Sequence, residues 1–141
     1  MSVYQTANER ETEALGARLA RSIPGSAVVA MYGELGAGKT AFVRGMAAGL
    51  GLSCRVSSPP FTIVNEYLGE RELIHFDLYR ISGEEELFDI GWEDYLSRGA
   101  ICAVEWSENV PGAFYGDEIT VRIRKTGETT REIEIEGVEL C

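Results

Sequence analysis

The sequence predicts an α/β fold with a mixed, largely parallel central sheet flanked by helices and an antiparallel C-terminal hairpin. Three observations carry that expectation. Ala27 to Tyr32 is a continuous apolar, valine-rich run between Gly25 and Gly33, as expected of a central strand covered on both faces. A glycine-rich stretch follows, and then apolar positions at helical spacing. Leu73 to Tyr79 and Ala100 to Trp106 are two further apolar runs that read as buried strands.

The elements follow in order. Thr6 and Glu9 have the spacing of a capping box, behind which Leu15, Leu19 and Ile23 recur every four residues until Pro24-Gly25. A first amphipathic helix is expected there. After the Ala27–Tyr32 strand and the glycines, Phe42, Val43, Met46, Ala47 and Leu50 mark a second helix ending at Gly49 and Gly51. Ser57-Ser58-Pro59-Pro60 reads as a rigid loop feeding a strand near Phe61 to Val64, since proline donates no ladder hydrogen bond. Ser82 and Glu85 repeat the capping-box spacing before a short acidic helix at Glu84 to Ile90, with Gly91 as its stop. Glu118 to Lys125 and Thr129 to Glu136, either side of Thr126-Gly127-Glu128, form the hairpin.

The chain of 141 residues is the size of one domain, here 1–141, and its 45% hydrophobic content supplies a core. Its net charge of −10 argues against unaided binding to nucleic-acid backbone. The acidity is uneven: residues 1–65 carry +2, residues 66–114 carry −9 and residues 115–141 carry −3. An anion site is therefore sought in the first half. No run approaches the ~20 apolar residues of a membrane span, and Met1 to Ala20 is too polar for a signal peptide, so a cytoplasmic location is expected. Cys54, Cys102 and Cys141 form no C-x-x-C pair and are expected as reduced thiols.

The strongest chemical signal is Gly33-Glu34-Leu35-Gly36-Ala37-Gly38-Lys39-Thr40, which matches the phosphate-binding loop pattern G-x-x-x-x-G-K-[ST], the P-loop. Glycine lets the backbone curl closely, and amides from about Leu35 to Thr40 should converge on an anion at a helix N-terminus. Gly33, Leu35, Gly36, Ala37, Gly38, Lys39 and Thr40 are the expected nucleotide contacts. Lys39 would neutralise the β- and γ-phosphates, and Thr40 would offer its hydroxyl to Mg²⁺. The bland alternative, a glycine-rich turn that happens to precede lysine, is disfavoured by the strand before and the helix after.

Hydrolysis requires a further carboxylate at a neighbouring strand end. Asp77 and Glu105 each end a four-residue apolar strand segment, at the sheet edge that also carries the P-loop. Both are candidate catalytic residues and Mg²⁺ ligands; each could instead cap its strand and face solvent. His75, the only histidine, is read as structural. Glu84-Glu85-Glu86 reads as a solvated first helical turn. No N-K-x-D guanine-reading pattern occurs, so adenine is the default base and ATP the expected cofactor with Mg²⁺.

With these residues in hand, the chain resembles the TsaE (YjeE) family over nearly its full length. The resemblance rests on Leu15-Gly16, GELGAGKT with Phe42 and Arg44-Gly45, Ser58-Pro59 with Phe61-Thr62, HFDLYR at 75–80, Glu85-Glu86-Leu87 and VEW at 104–106. It implies a P-loop ATPase of tRNA threonylcarbamoyladenosine synthesis that works with TsaB and TsaD and meets tRNA only through that complex. It further implies phosphate binding by Lys39, Mg²⁺ ligation by Thr40 and Glu105, and assistance from Asp77. Trp106 and the Ser58-Pro59 loop would belong to nucleotide-responsive or partner-contacting surroundings. Pro60 and Ala41 stand where the family usually has threonines. A stand-alone small-molecule kinase and a non-hydrolytic nucleotide switch are the alternatives. The helix start near Asn8 is expected beside the base.

Overall fold

Ala27–Tyr32 forms strand β2, and parallel neighbours flank it on both sides. This is the burial pattern its unbroken apolar run demands. The computed structural model describes residues 2–34, 36–52 and 64–140. The Ser57–Pro60 loop, Phe61 to Ile63 and Leu35 lie outside them, so the expectations placed there concern undescribed residues.

Seven strands make one sheet in the order β1-β7-β6-β2-β5-β4-β3. β6 (Ile119–Lys125), β2, β5 (Ile101–Glu105) and β4 (Leu73–Asp77) are mutually parallel at the centre. β3 (Val64–Tyr67) adds antiparallel to β4 at one edge, and β7 (Arg131–Glu136) and β1 (Ser2–Thr6) add antiparallel at the other. The sheet is mixed with a parallel centre, and β6–β7 is the expected hairpin. β6 also serves as a parallel neighbour of β2.

Two cores cover its two faces. Helices α1 (Glu9–Ser22) and α2 (Lys39–Gly49) bury Leu15, Leu19, Phe42 and Met46 against Val29, Met31, Ala103, Val121 and Ile133. The other face is closed by short helices α3 (Glu84–Asp89) and α4 (Trp92–Leu96), with Leu87 and Trp92 against Ile74, Phe76, Cys102 and Val104. Phe76 meets Trp92 and Tyr95 edge-on at 5.1 and 5.4 Å. The period-two alternation of β4 and β5 therefore sends His75, Asp77 and Glu105 to the α2 face. Among the described residues no helix is long and apolar enough to cross a membrane.

Glycine sets the α1–α2 approach. A Cβ at Gly45 would stand 1.9 Å from Glu13 O, and one at Gly16 2.2 Å from Phe42 O. Arg44 then reaches Glu9 and Glu13, each at 2.7 Å.

Two local expectations, both of helix caps, are corrected, and two features are added. Thr6 ends strand β1 and its hydroxyl pairs with Thr12 (2.8 Å), so it does not cap α1. Asn8 is the cap, accepting from the Glu11 amide at 2.9 Å, while Glu11 accepts from the Ala7 amide at 2.8 Å. The same box chemistry thus sits two residues later. β1 itself went unread because its five residues are mostly exposed and need β7 as a template. In α3 it is Glu86, not Glu85, that accepts from Ser82, and Gly91 both follows α3 and opens α4.

Candidate active site

β2, β4 and β5 run in one direction, so their carboxyl ends share one edge of the sheet. The loop after Tyr32, Asp77 at the end of β4 and Glu105 at the end of β5 meet there, with Asp77 and Glu105 in direct register. The sequence expectation that these groups gather is met.

The loop is shaped by its glycines. Gly36 (φ +81°) and Gly38 (φ +108°) take left-handed backbone, which costs a residue with Cβ. At Gly33 a Cβ would lie 2.8 Å from Ile123 O, so the loop also needs glycine to pass beneath β6. Gly38 is the N-cap of α2 and has no side chain to satisfy the first helical amides. Those donors and the helix dipole are thereby left to an anion. One expected inward amide is committed elsewhere, since Ala37 N donates to Glu34 O at 3.1 Å.

Lys39 is only 4% exposed. Its ammonium donates to Gly33 O at 2.6 Å and lies 3.6 Å from the centre of the Trp106 ring. Burial pushes the Lys39 ammonium below its usual range, opposed by Glu105, Glu108 and Asp77. Trp106 holds left-handed backbone (φ +62°), uncommon for a bulky residue, and Tyr79 stacks obliquely on it at 5.0 Å.

Glu105 is buried. Its Oε2 accepts from His75 Nε2 at 2.5 Å and stands 3.5 Å from Thr40 Oγ1. His75, expected as a structural histidine, is one on its Nε2 side alone: among the described residues Nδ1 meets no hydrogen-bond partner. Asp77 accepts from the Tyr79 amide at 3.1 Å. Burial pushes its carboxyl above the usual carboxylate range and Glu105 adds to this, against the Tyr79 amide, His75 and Lys39. Ser107 locks the strand ends together, donating to Val104 O (2.8 Å) and accepting from the Met31 amide (3.2 Å).

The donor set, one hydroxyl and two carboxylates, is all hard oxygen, which suits Mg²⁺ sharing its shell with phosphate and water. Among the described residues no cluster of three His, Cys, Asp or Glu side chains forms a self-sufficient metal cage. Two residues of this site were not singled out for it by the sequence. Ser107 carries no recognisable spacing, and the contact of His75 with Glu105 depends on strand register.

Fold and site together define an α/β domain of the P-loop class. A family model, described as threonylcarbamoyl adenosine biosynthesis protein TsaE, matches residues 6–133, and the chain belongs to the TsaE family. It is 35% identical over 126 residues to the tRNA threonylcarbamoyladenosine biosynthesis protein TsaE of Treponema pallidum, covering 89% of this chain and 93% of that protein. Against the protein of the same name from Bacillus subtilis it is 36% identical over 136 residues, 96% of this chain and 85% of the other. The crystal structure of Bacillus subtilis YdiB superposes with a TM-score of 0.79 at 30% identity, covering 99% of this chain and 86% of that one.

Proposed function

We propose that this chain is the Mg²⁺-dependent ATP-binding and ATP-hydrolysing subunit of cytoplasmic tRNA threonylcarbamoyladenosine synthesis. It acts with TsaB and TsaD and meets tRNA only through them. The observation that carries the reading is the convergence of Lys39, Thr40, Asp77 and Glu105 at one sheet edge, beneath a glycine-capped helix N-terminus. Membership of the TsaE family supplies the pathway. The acidic surface suits a role in which tRNA contact falls to partners.

Each residue then has a task. Loop amides and Lys39 bind the β- and γ-phosphates. Thr40 and Glu105 would hold Mg²⁺, which would supply charge neutralisation at the phosphates. The His75 contact fixes Glu105 in orientation. Asp77, whose raised proton affinity makes it a better base than an ordinary aspartate, orients and deprotonates the attacking water.

The test is threonylcarbamoyl transfer to tRNA followed over many turnovers with TsaB and TsaD, alongside ATP hydrolysis. The native chain should sustain both. Lys39→Ala should abolish ATP binding, and Glu105→Gln should bind ATP but hydrolyse it about 100-fold more slowly. Full modification with Glu105→Gln would instead support a non-hydrolytic switch, and phosphorylated metabolite made without partner proteins would support a kinase.

A further inference from the structure

We propose that Arg131 is a positioning residue for the phosphate-binding loop, holding it from behind in the shape that receives phosphate. The inference rests on the nucleotide-binding reading above and adds to it a residue 91 positions beyond the loop's last member, Thr40.

Arg131 opens β7, and its backbone is pinned on both sides, by Lys125 of β6 and Thr6 of β1. From that base the guanidinium splits its donors between two loops. Nε donates to Ala37 O at 2.8 Å and Nη2 to Gly36 O at 3.3 Å. Nη1 turns the other way, to Thr130 O at 2.8 Å and more weakly to Gly127 O and Glu128 O at 3.3 and 3.4 Å. The hairpin turn is itself braced by Thr126 N on Thr130 O (3.1 Å) and by the two threonine hydroxyls (2.9 Å).

Every one of these acceptors is a backbone carbonyl. Among the described residues Arg131 forms no ion pair, unlike Arg44, Arg98 and Arg124. An arginine whose purpose was surface charge pairing would have taken a carboxylate. A loop that turns its amides inward to an anion turns carbonyls outward, and those need donors of their own. Arg131 supplies them at Gly36 and Ala37, and its unpaired charge behind the loop favours an anion in front of it. A planar fork can serve two adjacent carbonyls and a turn together, whereas lysine's single ammonium cannot.

Arg131→Met, Arg131→Lys and Lys39→Ala would be compared with the native chain by calorimetric titration with ATP and Mg²⁺, by steady-state hydrolysis with TsaB and TsaD, and by amide hydrogen exchange of peptides spanning residues 33–40. Arg131→Met should weaken ATP binding about tenfold and raise KM to match, with kcat within about twofold. Exchange of the loop amides should speed by about tenfold before any nucleotide is added. Arg131→Lys, the milder variant should the methionine chain fail to fold, should fall between the two. A folded Arg131→Met chain with native ATP affinity and native loop exchange overturns the proposal, as does an Arg131→Lys chain equal to the native one in both. If Lys39→Ala keeps native ATP affinity, the nucleotide-binding reading fails, while the exchange data still judge the bracing by Arg131 separately.

Discussion

At the scale of the residue, the site is assembled at a cost to stability. Asp77 lies in a half-buried position that favours the protonated form of its carboxyl. A carboxyl with a raised folded-state pKa stabilises the fold below its ordinary value near 3.8, and that contribution is lost as pH rises through the raised value. Asp77→Asn, which keeps an oxygen for the Tyr79 amide, should therefore raise Tm at pH 7 by about 1–3 °C while hydrolysis falls. An unchanged or lower Tm would show that its charge is well compensated. Cys102 is the opposite case, a titratable group with no place in the chemistry. Burial pushes its thiol up to about 12. At pH 8 the native thiolate fraction is thus roughly a thousandfold below that of an ordinary thiol. Peptide mapping after brief iodoacetamide treatment at pH 8 should find Cys102 unmodified in the folded chain and modified after denaturation, and labelling of the folded chain would refute this.

At the scale of the element, the α1–α2 crossing is the least tolerant contact. Gly45→Ala places a methyl on the backbone of Glu13, where no side chain can yield. It should destabilise by about 2 kcal/mol or more and lower Tm by about 4–8 °C, read by thermal melting. The same elements show what the sequence made legible. β2, β4 and β5 are buried on both faces, so their apolar runs announced them, and the acid after each of the latter two placed Asp77 and Glu105 at the loop's edge. β1 and α4 are short and half exposed, with too few apolar positions for a period to emerge. The caps of α1 and α3 were each placed early because several polar residues in a row offer the same spacing. Arg131 reaches a loop 94 residues away, and only a paired hairpin brings it there.

At the scale of the whole molecule, the two cores share one sheet, so neither can open without exposing the other's floor. Denaturant unfolding followed by circular dichroism should coincide with that followed by the fluorescence of the two tryptophans, Trp92 and Trp106, in one cooperative transition. Two separated midpoints would mean that the faces come apart independently. The position of β2 has a consequence for how the protein is made. Its two neighbours, β5 and β6, lie about 70 and 90 residues downstream, and the arginine behind its loop comes later still. Long-range closure of this kind is slow to form. A ribosome therefore exposes residues 33–40 early but completes their surroundings only after residue 131 has emerged, so under the proposed nucleotide-binding role affinity for ATP should arise only past that point.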